Sequence, residues 1–410
     1  MTRRLLRLWI GAWILGAAAV AAEPVPFHRG IGISHMLAWA SVEPNRAFTF
    51  PPFAGDDRTM PPAEMRRLKE AGLDFVRLAV DPGPFLQFTG WKRDWADQFL
   101  VDTVQGFLAA GLAVVIDLHP SDLHPAYESK DLTAGLRSPG FQGYLGLVAR
   151  VAGLLSGIGS PRVAFELMNE PTIAPAAWQP MLEAAYRAAR SRAPRLTLVL
   201  GGGNQNALAG LTEMDTKPFT GDPAVIYTFH DYDPYQYTHQ GASWNAAANL
   251  ADVPYPARAR PPGESLEATR RSIARSDIKA EGKPAAIASA VRQLESYQRS
   301  GFDRPDLARS FDAVSGWARS RNIPPDRILL GEFGARLTPF SGGAAQQAER
   351  ERYFRDMREL AEANGFAWSA FAYRGLGGFA LARDEVGPGL DPTVARALGL
   401  RQIEAAPQRP

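Results

Sequence analysis

The stretch Val163-Ala-Phe-Glu-Leu-Met-Asn-Glu-Pro171 changes abruptly from apolar to charged. Its first residues suit a short buried strand. Asn169 and Glu170 follow at once, and Pro171 stops further pairing within a sheet. A second apolar stretch, Ile328-Leu-Leu-Gly-Glu332, ends in the same way far downstream. A buried carboxylate is costly without partners, so two glutamates that each end an apolar strand predict a site rather than core.

Composition narrows the class of protein. The chain has 410 residues, 46% of them hydrophobic and 21% charged, with a formal net charge of +2. This balance gives no basic field for nucleic acid, so no nucleic-acid partner is expected. The chain has no cysteine, which excludes disulfides, thiolate zinc sites and cysteine nucleophiles.

The N-terminal segment Met1–Ala22 has the pattern of a secretory signal peptide. Three arginines precede the apolar run Leu8–Val20, and small residues suit cleavage before Glu23. An uncleaved anchor is the alternative, but the run is shorter than the ~20 residues that span a bilayer. We therefore expect a secreted or periplasmic protein that acts as a monomer and has no stable membrane insertion after cleavage.

Strand and helix patterns alternate along the rest of the chain, and near-continuous apolar strands are typical of a parallel sheet covered on both faces. Eight strands are predicted, at 31–35, 75–80, 113–119, 163–167, 196–200, 224–229, 328–331 and 366–371. Their number predicts an α/β fold, a (β/α)8 TIM barrel. The connection from Asp231 to about Asp326 is too long for a simple loop and helix. We expect one catalytic domain over 23–410 with an enlarged loop-helix segment between strands six and seven.

In such a barrel the chemistry gathers at the carboxyl ends of the strands. Candidate residues at or near those ends are Arg77, His119, Asn169, Glu170, His230, Tyr232, Glu332 and Trp368. Arg77 is either a structural ion-pair partner or the group that keeps Glu332 ionised. A zinc site would need a third close ligand, and no helical His-Glu-x-x-His signature occurs, so we predict no metal. Trp368 is either ordinary core or the aromatic floor on which a sugar stacks.

Together these residues resemble glycoside hydrolase family 5, the cellulase-type retaining hydrolases. The resemblance covers about Gly30 to Gly399 and rests on motifs in the family's order. They are the strand-two arginine, the strand-three histidine, Asn169-Glu-Pro171, His230-x-Tyr232, Gly331-Glu-Phe-Gly334 and the strand-eight tryptophan. Strand one ends in Ser34-His35, where many members have an asparagine-rich pattern, and strand eight continues without a second tryptophan.

The resemblance implies two-step retaining hydrolysis of a β-glycosidic bond. Glu170 is the implied acid and base, and Glu332 the implied nucleophile, about 5–5.5 Å from it. Asn169 would bind the sugar 2-hydroxyl, and His119 would bind the sugar beside the cleavage point. Arg77 and Tyr232 would keep Glu332 charged, while His230 would tune Glu170. With Trp368, these residues form the predicted substrate-binding set.

The expected activity is that of an endo-β-1,4-glucanase that needs no cofactor and acts on a β-linked polysaccharide or oligosaccharide. A β-mannanase or a β-1,3/β-1,6-glucanase would use the same scaffold, because the loops decide specificity. A silent glycan-binding or exopolysaccharide-assembly protein is the alternative from another class, and transfer to sugar acceptors also stays open.

Overall fold

The computed structural model describes residues 27–337, 344–375, 377–382 and 389–402; the predicted signal segment 1–22 lies outside them. Eight parallel strands pair in sequence order and close into a barrel. Their bounds are β1 Arg29–Leu37, β2 Phe75–Val80, β3 Ala113–Leu118, β4 Val163–Glu166, β5 Thr197–Gly201, β6 Val225–His230, β7 Ile328–Phe333 and β8 Ala367–Ala370. The predicted (β/α)8 TIM barrel is confirmed.

Helices surround the barrel. Those in the described residues are α1 Pro62–Ala71, α2 Pro82–Gln87, α3 Gly90–Ala109, α4 Ser129–Leu132, α5 Pro139–Ile158, α6 Pro175–Arg192, α7 Leu208–Thr212, α8 Tyr235–Thr238, α9 Pro262–Arg275, α10 Lys283–Ser300, α11 Arg304–Ser320, α12 Ala344–Ala363 and α13 Pro392–Ala397. Helix α5 has the length and apolar composition of a membrane span, and most of its large apolar side chains are buried in the core.

Local sequence signals set the ends of these helices. Helix α5 begins with a proline in its first turn, and the Ser138 hydroxyl accepts a hydrogen bond from the Phe141 amide at 3.2 Å. Gly159 ends it with φ of 70°, a left-handed conformation that costs glycine little. At α11, Asp303 and Asp306 form a reciprocal capping box. These boundaries fix where each strand begins and therefore where its carboxyl end lies.

The barrel interior changes character along its axis. At the amino ends of the strands it is filled by an apolar cluster, which comprises Phe27, Phe75, Ala113, Val115, Ala164, Val199, Ile226, Leu329 and Ala367. Side chains alternate across a strand, so the next inward position after Phe75 is Arg77 and the next after Val115 is Asp117. Glu166 follows Ala164 in the same way. Charged groups thus form the layer directly under the carboxyl face.

The enlarged segment between β6 and β7 carries α8 to α11. Its long helices are α9, α10 and α11, and the short α8 precedes them. The segment is fastened to α12: the buried Tyr255 hydroxyl donates to Asp356 at 2.9 Å, and Arg260 donates to Glu349 at 2.6 Å. These contacts attach the segment firmly to the barrel.

Candidate active site

Most of the predicted site residues meet in one cluster at the carboxyl face. Hydrogen bonds and ion pairs join them into a single network, whose predicted members are Arg77, His119, Asn169, Glu170, His230, Tyr232 and Glu332. They come from β2, β3, the loop after β4, β6 and its following loop, and β7. Chain segments far apart in sequence therefore build one site.

Glu332 reaches the site through an irregularity in β7. Leu330 and Phe333 both belong to the outer apolar core, although strict alternation would place residues three apart on opposite faces. The register of β7 shifts between these two residues against β8, and a strand bulge of this kind re-aims a side chain. The Glu332 carboxylate, 4% exposed as a residue, accepts from Arg77 Nη1 at 2.6 Å and from the Tyr232 hydroxyl at 2.8 Å.

Glu170 lies on the opposite side of the site. Its backbone φ is 43°, a conformation that costs a non-glycine residue roughly 1–3 kcal/mol and that clusters at functional sites. One of its oxygens lies 2.8 Å from Nδ1 of His230, and its side chain stays 29% exposed. Burial raises the pKa of Glu170 to about 7, against the opposing charges of His119 and Arg77. The group therefore holds a proton near neutral pH.

His230 lies between the two glutamates. Its Nδ1 is 2.8 Å from Glu170 and 3.8 Å from Glu332. Its Nε2 is buried and has no hydrogen-bond partner in the described part of the chain. Burial lowers the pKa of His230 to about 4, so the ring is neutral at working pH. With the proton on Nδ1, the ring donates to the Glu170 carboxylate and leaves only a lone pair unsatisfied.

The two catalytic candidates are close together. One carboxylate oxygen of Glu170 and one of Glu332 lie within 4.8 Å of each other. Retaining glycosidases hold their carboxyl groups ~5–5.5 Å apart, whereas inverting enzymes leave ~6.5–9.5 Å for a water molecule. The spacing fits the retaining class. The glutamates also differ in surroundings: one is backed by a guanidinium and a phenol, the other by a neutral imidazole.

Arg77 lies beneath this pair rather than in the cleft. It is 1% exposed, and it binds Glu166 through Nε at 2.7 Å and Nη2 at 2.9 Å. The same guanidinium contacts Asp117 at 3.1 Å. Burial opposes the charge, but the three carboxylates of Asp117, Glu166 and Glu332 raise the pKa of Arg77 well above its usual value. Its burial sets Arg77 apart from a direct substrate contact, and its contacts fit the other role that the resemblance implies, support of the Glu332 carboxylate.

His119 and Asn169 lie side by side on the floor of the site. Asn169 Oδ1 accepts from Arg77 Nη2 at 2.8 Å, and Asn169 Nδ2 lies 3.3 Å from His119 Nε2. The other ring nitrogen of His119 is 2.9 Å from Asp117. Burial opposes a charge on His119, yet the bond with Asp117 raises its pKa above the usual value. Both ring nitrogens already have protein partners; direct sugar binding by His119 stays a prediction.

Trp368 is the predicted residue that the structure excludes from the site. It is fully buried in the outer core, where its ring packs against Phe333 and its Nε1–H donates to Glu362 at 3.3 Å. The physical reason is alternation: Ala367 points into the barrel, so Trp368 points away from it. The aromatic side chain at the carboxyl end of β8 is the half-buried Phe371, whose ring contacts Phe379.

Sequence reasoning also missed residues that line or support the site. Asp117 and Glu166 are fully buried, and each precedes another site residue by a few positions on its own strand or the loop after it. The sequence could have indicated them, because they occupy inward-facing positions of β3 and β4, as Arg77 does in β2. Another residue of the carboxyl face that was missed is Trp39, which is 41% exposed and packs against His119. Two more exposed aromatic side chains belong to the enlarged segment, whose aromatic content is visible in the sequence: Tyr235 in α8 is 42% exposed and Trp244 is 61% exposed.

Two groups of side chains have the donor atoms for a cation. One comprises Asp117, His119 and Glu332, and the other Glu170, His230 and Glu332, each with its donor atoms within 4.8 Å. The Arg77 guanidinium already contacts Asp117 and Glu332, so its positive charge opposes a metal ion there. The second group shares Glu332 with that same guanidinium. The absence of a metal stays a prediction.

Comparison with known proteins places this site in a family. A model of the cellulase family, glycosyl hydrolase family 5, matches residues 54–375. Endoglucanase 3 of Fibrobacter succinogenes is 25% identical over 337 residues, which cover 76% of this chain and 46% of that protein. The chain spans about half the length of the relatives it matches.

Solved structures share the architecture. The cellulose synthase subunit Z of Clostridioides difficile superimposes with a TM-score of 0.63 at 21% identity, covering 91% of this chain and 99% of that one. Thermotoga maritima Cel5A in complex with cellobiose gives 0.63 at 20% identity, with coverage of 92% and 98%. At this identity the likeness shows the fold.

Proposed function

The chain belongs to the cellulase family, glycosyl hydrolase family 5, and from this premise we propose that it cleaves internal β-1,4 bonds of a glucan with retention of configuration. The observation that carries the proposal is the Glu170–Glu332 pair. Their oxygens lie within 4.8 Å, and their surroundings differ in the way that an acid and a nucleophile require.

The first step forms a covalent intermediate. The Glu332 carboxylate attacks the anomeric carbon while Glu170 gives its proton to the departing oxygen, so the glycosidic bond breaks as the ester bond forms. The raised pKa of Glu170 supports this role, because the group still carries a proton near pH 7. Glu332 enters the step with both oxygens held, one by Arg77 and one by Tyr232.

The second step releases the sugar. Glu170, now a carboxylate, takes a proton from water as the water oxygen attacks the anomeric carbon, and the ester bond to Glu332 breaks. Two inversions give net retention. The neutral His230 ring holds Glu170 through both steps, since its Nδ1 contacts the same carboxyl oxygen whether that group gives or takes a proton.

Substrate recognition follows from polar and aromatic groups around the pair. The Asn169 amide faces the site with Oδ1 fixed by Arg77, which leaves Nδ2 to donate to the sugar 2-hydroxyl. Such a bond strengthens in the transition state. Trp39, Tyr235 and Trp244 offer exposed rings on which the C–H faces of sugars stack. Binding through rings on the loops suits a chain that continues on both sides of the cut, which is endo action.

The proposal also covers the cellular location and the oligomeric state of the protein. We place it outside the cytoplasm, supported by the signal pattern of residues 1–22. Residues 23–410 are proposed to work as one catalytic unit and as a monomer. Intact Glu170 and Glu332, each held by its own partners, favour an enzyme over a silent glycan-binding protein.

The test is product release by the purified full chain on carboxymethylcellulose, mixed-linkage glucan, glucomannan, laminarin and pustulan. We expect cleavage of the β-1,4-glucans with a rapid fall in viscosity, and NMR detection of the β-anomer first. Glu332→Gln is expected to lose at least about 10⁴-fold in kcat. Glu267→Gln on α9, whose side chain is 59% exposed, is the matched control and keeps its activity.

Other outcomes redirect the proposal. Activity confined to glucomannan or to laminarin would assign a β-mannanase or a β-1,3-glucanase instead. Folded protein that cleaves none of the polymers would point to glycan binding, and an active Glu332→Gln variant would overturn the nucleophile assignment.

A further inference from the structure

Asp117 is fully buried, and it connects two groups that hold Asn169. Its Oδ2 lies 2.9 Å from His119 Nδ1 and 3.1 Å from Arg77 Nη2. The guanidinium and the imidazole in turn contact the two ends of the Asn169 amide. The four side chains form a closed ring of contacts directly under the anomeric site.

The hydrogen-bond directions in this ring follow from one residue. Arginine has only N–H donors, so the atom of Asn169 that faces Arg77 must be the oxygen. The amide nitrogen therefore faces His119, and because it is a donor, His119 Nε2 must accept. The proton of the neutral ring is then on Nδ1, where the Asp117 carboxylate accepts it. Every polar contact in the ring is thereby satisfied in only one arrangement.

We propose that Asp117 is a positioning residue that orients the Asn169 amide by fixing the tautomer of His119. This proposal rests on the proposed glycosidase function, because the amide acts there on the sugar 2-hydroxyl. Asp117 itself does not touch the substrate. Its effect resembles that of carboxylates that orient ligand or catalytic histidines through the far ring nitrogen.

The arrangement also explains an unusual burial. Among the residues that the structure describes, Asp117 Oδ1 is buried with no hydrogen-bond partner, an expensive condition for a carboxylate. All of its contacts run through the other oxygen. A residue whose only duty was to neutralise Arg77 would match Glu166, which meets the guanidinium with both oxygens. Asp117 instead contacts both the arginine and the histidine through the same oxygen.

The discriminating variant is Asp117→Ala, because it removes the oxygen that accepts from His119 Nδ1. Asparagine would not serve, since the atom that faces Arg77 must be an oxygen and the same atom faces His119. Without this acceptor the ring proton can move to Nε2, where it would meet the Asn169 amide nitrogen, so two donors would face each other and the amide would turn. We expect kcat/KM on an aryl β-cellobioside to fall about tenfold to a hundredfold. The same cellobioside without the 2-hydroxyl on the scissile sugar should lose much less.

Glu166→Ala is the matched control, since Glu166 contacts Arg77 but not His119. Any loss that passes through Arg77 to Glu332 affects both substrates equally. The ratio of the two kcat/KM values should therefore fall for Asp117→Ala and stay constant for Glu166→Ala. In the double variant Asp117→Ala/Asn169→Ala, the aspartate change should add almost nothing to the loss caused by Asn169→Ala. Equal losses on both substrates would overturn the proposal.

A readout that needs no activity separates this inference from the proposed function. ¹⁵N NMR at pH 8 should show His119 protonated at Nδ1 in the wild-type chain and shifted towards protonation at Nε2 in Asp117→Ala, whether or not a substrate has been found. If Asp117→Ala does not fold, His119→Phe tests the same link with a similar ring volume, and it should also lower the substrate ratio. A wild-type His119 protonated at Nε2 would overturn the inference.

Discussion

A Cβ atom on Gly331 would lie 3.0 Å from Nε2 of His230 and 2.5 Å from Oγ1 of Thr228. Because real Cβ contacts are rarely this short, the absence of a side chain at Gly331 is what lets the His230 ring lie this close to β7. From there the ring reaches Glu170 at 2.8 Å. Gly331, which precedes the proposed nucleophile, therefore allows His230 to contact the proposed acid Glu170.

We predict that Gly331→Ala lowers kcat by about tenfold or more, because the added methyl group pushes His230 away from Glu170. Overpacking of this kind also costs roughly 1–3 kcal/mol of stability. Steady-state kinetics and thermal unfolding on the same preparations measure both effects. Gly157→Ala in α5 is the control, since its Cβ would meet no atom within 4 Å. Normal activity in Gly331→Ala would show that the ring has room to move.

The pH dependence of activity should follow Glu170. Its pKa is raised to about 7 by burial, so above that pH the group loses the proton that the leaving oxygen needs. We expect kcat/KM on an aryl cellobioside to fall about tenfold per pH unit above about pH 7. On a dinitrophenyl glycoside, whose leaving group needs no proton, this limb should flatten. If kcat/KM on the dinitrophenyl glycoside still fell above pH 7, the fall would report the titration of a group other than Glu170.

The same carboxyl group should make stability depend on pH. Its folded pKa of about 7 exceeds the ordinary 4.5, so its contribution is fully present below pH 4.5 and is lost as pH rises through 7. Glu170→Gln, which keeps the shape without the charge, should be more stable than wild type at pH 8 by on the order of 1–3 kcal/mol. The two proteins should converge near pH 4. Urea unfolding at both pH values measures the difference.

Tyr232 is predicted to act on the chemical step through Glu332. Tyr232→Phe removes the 2.8 Å hydrogen bond to the carboxylate and leaves the ring packed against His239 and Phe379. A hydrogen bond to a charged group contributes about 1.5–3 kcal/mol, so kcat should fall roughly tenfold to a hundredfold. Tyr297→Phe, which loses a bond to a loop carbonyl in the enlarged segment, is the control. An unchanged kcat in Tyr232→Phe would remove the tyrosine from the nucleophile's support.

Strand order and strand ends were enough to predict the barrel and most of this site. Apolar runs marked the eight strands, and the polar residue that followed each one fell at the carboxyl face. The orientation of side chains was less accessible. Glu332 points inward only because β7 shifts register between Leu330 and Phe333, and nothing in an apolar run announces such a bulge. The sequence marked Glu332 by its place at the end of an apolar run and by the family motif, whereas periodicity alone would not have turned its side chain inward.

The buried charged residues beneath the site were the second feature that was not predicted from the sequence. Asp117 and Glu166 lie within apolar strands, where a single charge is easily dismissed as an exception to the pattern. Once Arg77 marks the inward phase of β2, the neighbouring strands must bring carboxylates to the same layer, because an unpaired buried guanidinium is too costly. The sequence holds that requirement but does not say which carboxylates meet it. Only the register of β2, β3 and β4 does.

The correction at Trp368 can be tested directly. Trp368→Phe should reduce stability by roughly 1–3 kcal/mol, because it leaves space in the outer core and removes the bond to Glu362. Its kcat/KM should stay within about twofold of wild type, since the ring faces away from the barrel. Phe371→Ala is the matched change at the carboxyl end of β8 and should raise KM about tenfold through lost stacking. Thermal unfolding and Michaelis–Menten kinetics of both variants test this correction. A raised KM with unchanged stability in Trp368→Phe would show that the tryptophan contacts the substrate after all.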